Sequence, residues 1–246
     1  MPCFRRMGRC PRGLVERRRL LDDTGFVGSR GAFNRLTGLV VALLLASLAT
    51  GAPLQPADSQ RLFAALGLKA GDSVGEIGAG KGALTLAAAH VVGASGRVYS
   101  SELGEKRAVL ERIVQEAALP QISVVAGSPT STNFPEACCE AIFLQDVYHH
   151  FTEPAAMNAS ILRSLKPGGR LAIVDFTPPP ESGDVAPADR AKDGSHGVRP
   201  KVLERELSEA GFEGFSVDSA GNRWFLVVAR KPGSPSLQVA KSRGDR

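Results

Sequence analysis

From Pro56 onward the chain switches between two hydrophobic periods, one suited to helices and one to buried strands. The pattern predicts an amphipathic helix over Pro56–Leu66, a strand over Asp72–Ile77, a helix over Gly82–Val91 and a strand over Gly96–Glu102. It continues with a helix over Glu105–Ala117, strands over Gln121–Ala126 and Glu140–Gln145, and a helix over Glu153–Leu165. Lys166-Pro167-Gly168-Gly169 then reads as a stop and tight reversal before a strand over Arg170–Phe176. A helix over Arg199–Ala210 and two runs, Gly214–Ser219 and Arg223–Ala229, close the domain, the runs as an antiparallel hairpin. Strands alternating with helices and ending in a hairpin give an α/β fold: a doubly wound sheet of seven strands with helices on both faces.

Ligands of such a sheet bind beyond the carboxyl ends of its strands, so the turns there carry the chemistry. The turn after the first strand is Glu76-Ile77-Gly78-Ala79-Gly80-Lys81-Gly82. Its alternating glycines permit positive φ and leave no Cβ between backbone and ligand. Gly75 to Lys81 fits the phosphate-cradling pattern, but Gly82 stands where a magnesium-binding hydroxyl is required. Gly78 to Ala83 also fits the dinucleotide pattern, against which Glu76 would set a carboxylate beside two phosphate charges. A ligand with cations and no phosphate suits the position better, and a turn with no ligand is the bland alternative. Glu102 ends the second strand 24 residues beyond Gly78, where an acid can accept hydrogen bonds from both ribose hydroxyls or simply cap the next helix.

Glu76-x-Gly78-x-Gly80-x-Gly82 resembles the first motif of class I S-adenosylmethionine-dependent methyltransferases. Asp146-Val147-Tyr148-His149-His150-Phe151 resembles the fourth motif of the type 11 and ubiquinone/menaquinone group, and the Leu165–Asp175 stretch is similar as well. The resemblance covers roughly residues 53–230 and implies a Rossmann-like sheet of order 3-2-1-4-5-7-6 with the last strand antiparallel. It implies S-adenosylmethionine as cofactor, held by Glu76, Gly78, Ala79, Gly80, Gly82, Glu102, Ser128 and Asp146, under a cover formed by the helix over Pro56–Leu66. Ser128 stands where the family often has an Asp that receives the adenine amino group. The implied activity is in-line methyl transfer to a small-molecule acceptor. A base is needed only if the acceptor arrives protonated, and His149, His150 and His196 are the candidates. The competing readings are an NAD(P)-dependent oxidoreductase using the same turn and a cofactor-binding relative without catalysis.

His149 and His150 stand side by side and are expected to point apart, with no other His, Cys or acid at ligand spacing nearby, so no metal is expected. Tyr148 reads equally as a wall or a participant, and Asp175 as a pocket-lining acid or, more simply, a solvated or loop-capping one. His196 ends a long Pro-, Asp-, Ser- and Gly-rich stretch, 178–197, of the kind that forms lids. A similar His-x-x-x-Pro stretch ends the acceptor lid in some relatives of the resembled family.

Charge alters the picture only after it is divided along the chain. The net charge is +5, yet residues 1–35 hold 9 Arg against 3 acids, leaving 21 Lys and Arg against 22 acids in the rest. The basic excess therefore belongs to an N-terminal tail without apolar periodicity, and nucleic-acid binding by the domain is not expected. Residues 36–52 carry an uninterrupted apolar block, Leu39–Ala49, behind Arg35 and ahead of small residues. That anatomy predicts an export signal or uncleaved anchor, hence membrane association, against a packing helix or an organellar presequence. Residues 231–246 read as a disordered tail. The four cysteines form neither a metal-ligand spacing nor a disulfide framework, and Cys138 and Cys139 read as a loop and strand-edge pair.

Overall fold

The computed structural model describes residues 58–192, 196–219 and 222–234. The expected tail, the apolar segment at 36–52 and the end of the chain beyond 234 lie outside those residues. Within them seven strands form one sheet: β1 (Ser73–Ile77), β2 (Arg97–Glu102), β3 (Ile122–Ala126), β4 (Cys139–Gln145), β5 (Leu165–Phe176), β6 (Glu213–Asp218) and β7 (Trp224–Arg230). Their order is β3-β2-β1-β4-β5-β7-β6, with β7 antiparallel to both neighbours. The doubly wound sheet and its strand order are thus as expected.

Among the described residues five α-helices accompany the sheet: α1 (Ser59–Leu66), α2 (Ala83–Val92), α3 (Gly104–Ala117), α4 (Pro154–Ser164) and α5 (Pro200–Glu209). Central strands read as continuous apolar runs because both of their faces are covered. In β4, Ile142 and Leu144 join Met157 and Ile161 of α4 and Leu203 and Leu207 of α5 in one core, while Ala141 and Phe143 face the other way. That second core holds Leu62, Phe63 and Leu66 of α1 with Ala88, Ala89 and Val92 of α2. Asp58 caps α1 by accepting from the Arg61 amide at 3.0 Å, so the helix starts after Pro56 rather than at it.

Two expectations are corrected here. The apolar stripe of α1 is spent on the sheet, with Phe63 edge-on to Phe143 at 5.6 Å, and no residue of α1 lines the ligand cavity described below. The Lys166–Gly169 stretch is also not a reversal between elements. Helix α4 runs directly into β5 at Leu165, and these residues form an outward bulge within the strand, because Cys139 pairs with Leu165 while Ala141 already pairs with Arg170. Gly168 takes φ 76° there, and its amide donates to the Lys231 carbonyl at 3.1 Å.

Candidate active site

Every turn that opens at the carboxyl end of β1, β2, β3 or β4 contributes to one cavity of about 1060 Å³. Glu76, Gly78, Ala79, Gly80, Glu102, Ser128 and Asp146 all line it, as do Lys81, Glu105, Lys106 and His150. Seven of the eight expected cofactor positions, drawn from four separate turns, therefore converge. Gly82 is the exception, and its glycine has a packing cause. With φ 76°, a Cβ at Gly82 would lie 2.8 Å from the Leu110 side chain of α3.

Gly78 (φ 73°) is constrained likewise, since a Cβ would stand 2.5 Å from Val147. At Gly80 (φ 55°) no heavy atom lies within 4 Å of the Cβ position, so the backbone there faces open space. The loop's amides are largely committed. Gly78 and Ala79 donate to the Ser101 carbonyl at 2.9 and 3.0 Å, Gly80 to Glu102 Oε2 at 2.6 Å, and Gly82 to the Ala79 carbonyl at 2.8 Å. A pyrophosphate cradle requires such amides to be free. Gly75, which opened the phosphate-loop pattern, lies inside β1, where Phe134 fills the place of a side chain.

Glu76 is buried at the cavity's inner end, where Thr85 Oγ1 donates to it and Ser100 Oγ lies 3.4 Å away. Burial pushes its carboxyl up from the ordinary 4.5 to about 8, against the lowering effect of those hydroxyls. The repulsion of phosphate expected from Glu76 is therefore not delivered by a charged carboxylate in the ligand-free protein at neutral pH. The acids Glu102, Glu105 and Asp146 line the same cavity beside Lys81 and Lys106. Glu102 is buried, with its second oxygen accepting from the Leu103 amide at 2.8 Å. Ser128 Oγ accepts from the Thr130 amide at 3.3 Å, and Asp146 is exposed at the rim with φ 60°.

The histidines depart most from expectation. Residues Tyr148–His150 form one 3₁₀ turn, and the rings of His149 and His150 lie 4.0 Å apart rather than pointing away from each other. His196 reaches them from the end of the lid stretch, with its Nε2 2.8 Å from His149 Nε2. His149 is fully buried and its Nδ1 lies 2.8 Å from Asp175 Oδ1. Asp175 is itself buried and also accepts from the His149 amide at 3.2 Å and the Phe176 amide at 2.8 Å, so it is neither solvated nor a loop cap. Of the three histidines only His150 lines the cavity; burial, with His149 and His196 nearby, holds it below the ordinary histidine range.

Tyr148 belongs to the scaffold. Its hydroxyl donates to Glu206 at 3.0 Å and accepts from Asn158 at 2.8 Å, and burial pushes its pKa upward. Glu206 in turn takes two hydrogen bonds from Arg190, a buried residue of the lid stretch. Arg190 and the part played by Asp175 escape a reading of the sequence. Only the long polar stretch and the strand-end position hint at them.

A family model described as a methyltransferase domain matches residues 75–173, the stretch that supplies most of β1, all of β2 to β4, most of β5 and all four turns. Residues 75–173 are thus similar to a methyltransferase domain. A ubiquinone/menaquinone biosynthesis C-methyltransferase from Francisella philomiragia is 27% identical to it over 122 residues, 49% of each chain. The chain thus spans about half the length of that curated relative. Among solved structures, an S-adenosylmethionine-dependent methyltransferase from Aquifex aeolicus superposes with TM-score 0.60 at 23% identity, covering 71% of this chain and 89% of that one. A protein from Bordetella parapertussis, described as possibly exported, superposes with TM-score 0.58 at 17% identity, covering 72% and 67%. These two likenesses show the fold alone.

Proposed function

We propose that the chain transfers a methyl group from S-adenosylmethionine to a small-molecule acceptor. The observation that carries this is the cavity, in which the committed glycine-turn amides, Glu102, Ser128 and Asp146 meet beyond four parallel strands. The residues present fit the cofactor: carboxylates for hydroxyl and ammonium groups and an open backbone at Gly80. When bound, the cofactor supplies a methyl group on a sulfonium, which an acceptor takes by in-line displacement.

The protein's own residues hold and orient. Glu102 would accept the ribose hydroxyls, Ser128 would offer its hydroxyl to the adenine, and Glu76 and Asp146 would receive the cofactor's cationic groups. Walls of Val147, Phe151 and Met157 exclude water from the remaining volume. Fixed geometry and a dry site supply most of the barrier reduction for such a displacement. Where no metal ion takes its lone pair, His150, held below the ordinary histidine range by burial, can take a proton from an acceptor.

Calorimetric titration with S-adenosylhomocysteine and with NADH tests the cofactor choice. Binding of the first and not the second is expected; the reverse overturns it. Transfer of labelled methyl from S-adenosylmethionine into cell extract then identifies the acceptor. For residues 36–52 we propose an export signal or anchor, supported by the apolar block behind Arg35 and by the description of the Bordetella neighbour as possibly exported. Among the described residues no helix is long and apolar enough to cross a membrane. N-terminal sequencing of the mature protein tests this segment.

A further inference from the structure

We propose that His149, His150 and His196 bind a divalent first-row transition metal ion, zinc by preference, at the edge of the cofactor cavity. One ligand atom from each of the three side chains falls within a mutual separation of 4.8 Å. Along the chain His196 is 47 residues from His149, which is why no ligand spacing is visible in the sequence. The fold closes that gap: Gly197 donates to the Arg190 carbonyl at 3.0 Å and Val198 to the Phe176 carbonyl at 2.9 Å, fixing the chain on the C-terminal side of His196 against β5.

Asp175 decides the chemistry of the central ring. With its carboxylate 2.8 Å from Nδ1, His149 keeps its proton on that nitrogen, so Nε2 carries the lone pair and points at His196. A buried carboxylate behind a histidine whose other nitrogen faces outward is the arrangement that orients metal-ligating imidazoles and raises their basicity. The His149 and His196 Nε2 atoms lie 2.8 Å apart, within hydrogen-bond distance. Around a tetrahedral ion with bonds of about 2.0–2.1 Å the two would sit roughly 3.3 Å apart. A shift of about half an ångström on the exposed His196 side therefore converts the pair from a hydrogen bond to a chelate.

Three neutral imidazoles with no thiolate suit zinc, iron, copper or nickel rather than magnesium or calcium, and three ligands leave a tetrahedral position open. Because His150 lines the cavity, that position faces the space beside the cofactor turns, where water or an oxygen, nitrogen or sulfur atom of a guest would sit. The site does not depend on methyl transfer. A protein with no such activity would still bind the ion.

The test uses the full chain, free of any histidine tag and stripped with a chelator. Titration with cobalt(II), followed by visible absorption and then by displacement with zinc, should show one ion per chain with an intense tetrahedral spectrum. His196→Ala, an exposed position that leaves the buried core untouched, should weaken binding at least about 100-fold. Asp175→Asn should weaken it roughly 10–100-fold, and Cys138→Ser should leave it unchanged. Far-ultraviolet circular dichroism confirms that each variant is folded. Absence of binding by the wild type, equal binding by His196→Ala, or loss of binding in Cys138→Ser would each overturn the proposal.

Discussion

At the scale of single residues, Glu76 controls how the domain responds to pH. Its folded-state pKa of about 8 lies above the 4.5 of an ordinary glutamate, so the native state holds a proton that the unfolded chain has lost. The stabilisation is full below about pH 4.5 and falls by about 1.4 kcal/mol for each pH unit until about pH 8. Glu76→Gln should flatten that slope, raising the melting temperature relative to wild type at pH 8 but not at pH 5. Thermal melts across the range check it. A cationic guest beside the same carboxyl favours its ionised form, so cofactor binding near pH 7 should release a fraction of a proton. Calorimetry in buffers of different ionisation enthalpy reads that release directly. Gly78→Ala tests steric rather than electrostatic fit: with Val147 2.5 Å from the new methyl and a left-handed backbone, cofactor affinity should fall by about tenfold or more.

At the scale of elements, the lid stretch is held by the Arg190–Glu206–Tyr148 network rather than by apolar packing alone. Arg190→Ala removes both guanidinium hydrogen bonds from the partly buried Glu206 carboxylate on α5 and should destabilise the domain by about 2–3 kcal/mol. Tyr148→Phe removes one hydroxyl from the same network and should cost about 1 kcal/mol. Denaturant melts of both variants separate these values. Strands and helices were legible because both faces of the sheet are covered and periodicity survives; boundaries moved by a few residues where a cap decided the start, as at Asp58. The Lys166–Gly169 bulge was not legible, since proline and glycine signal a turn without saying whether the ladder resumes beyond it. The histidine cluster was half visible. His149 and His150 announce themselves as neighbours, but partners 26 and 47 residues away from His149 are a property of the assembled sheet.

At the scale of the whole molecule, charge and chemistry are segregated along the chain. Removal of residues 1–52 should abolish retention on a polyanion matrix at low salt while leaving S-adenosylhomocysteine affinity within about twofold, because the remainder is close to neutral. Chromatography and titration of the two forms check this. The glycine turn that lines the cavity could be read from sequence because its residues are contiguous, whereas Asp175 and Arg190 acquire meaning only through what folds against them. The bulge on β5 has a practical corollary. Gly168 projects outward with a left-handed backbone and nothing near its Cβ position, on the side of the sheet opposite the strand ends that build the cavity. It is thus a natural graft point, where a fluorophore or a purification handle could be spliced into the middle of the polypeptide while the chemistry at the far rim proceeds undisturbed.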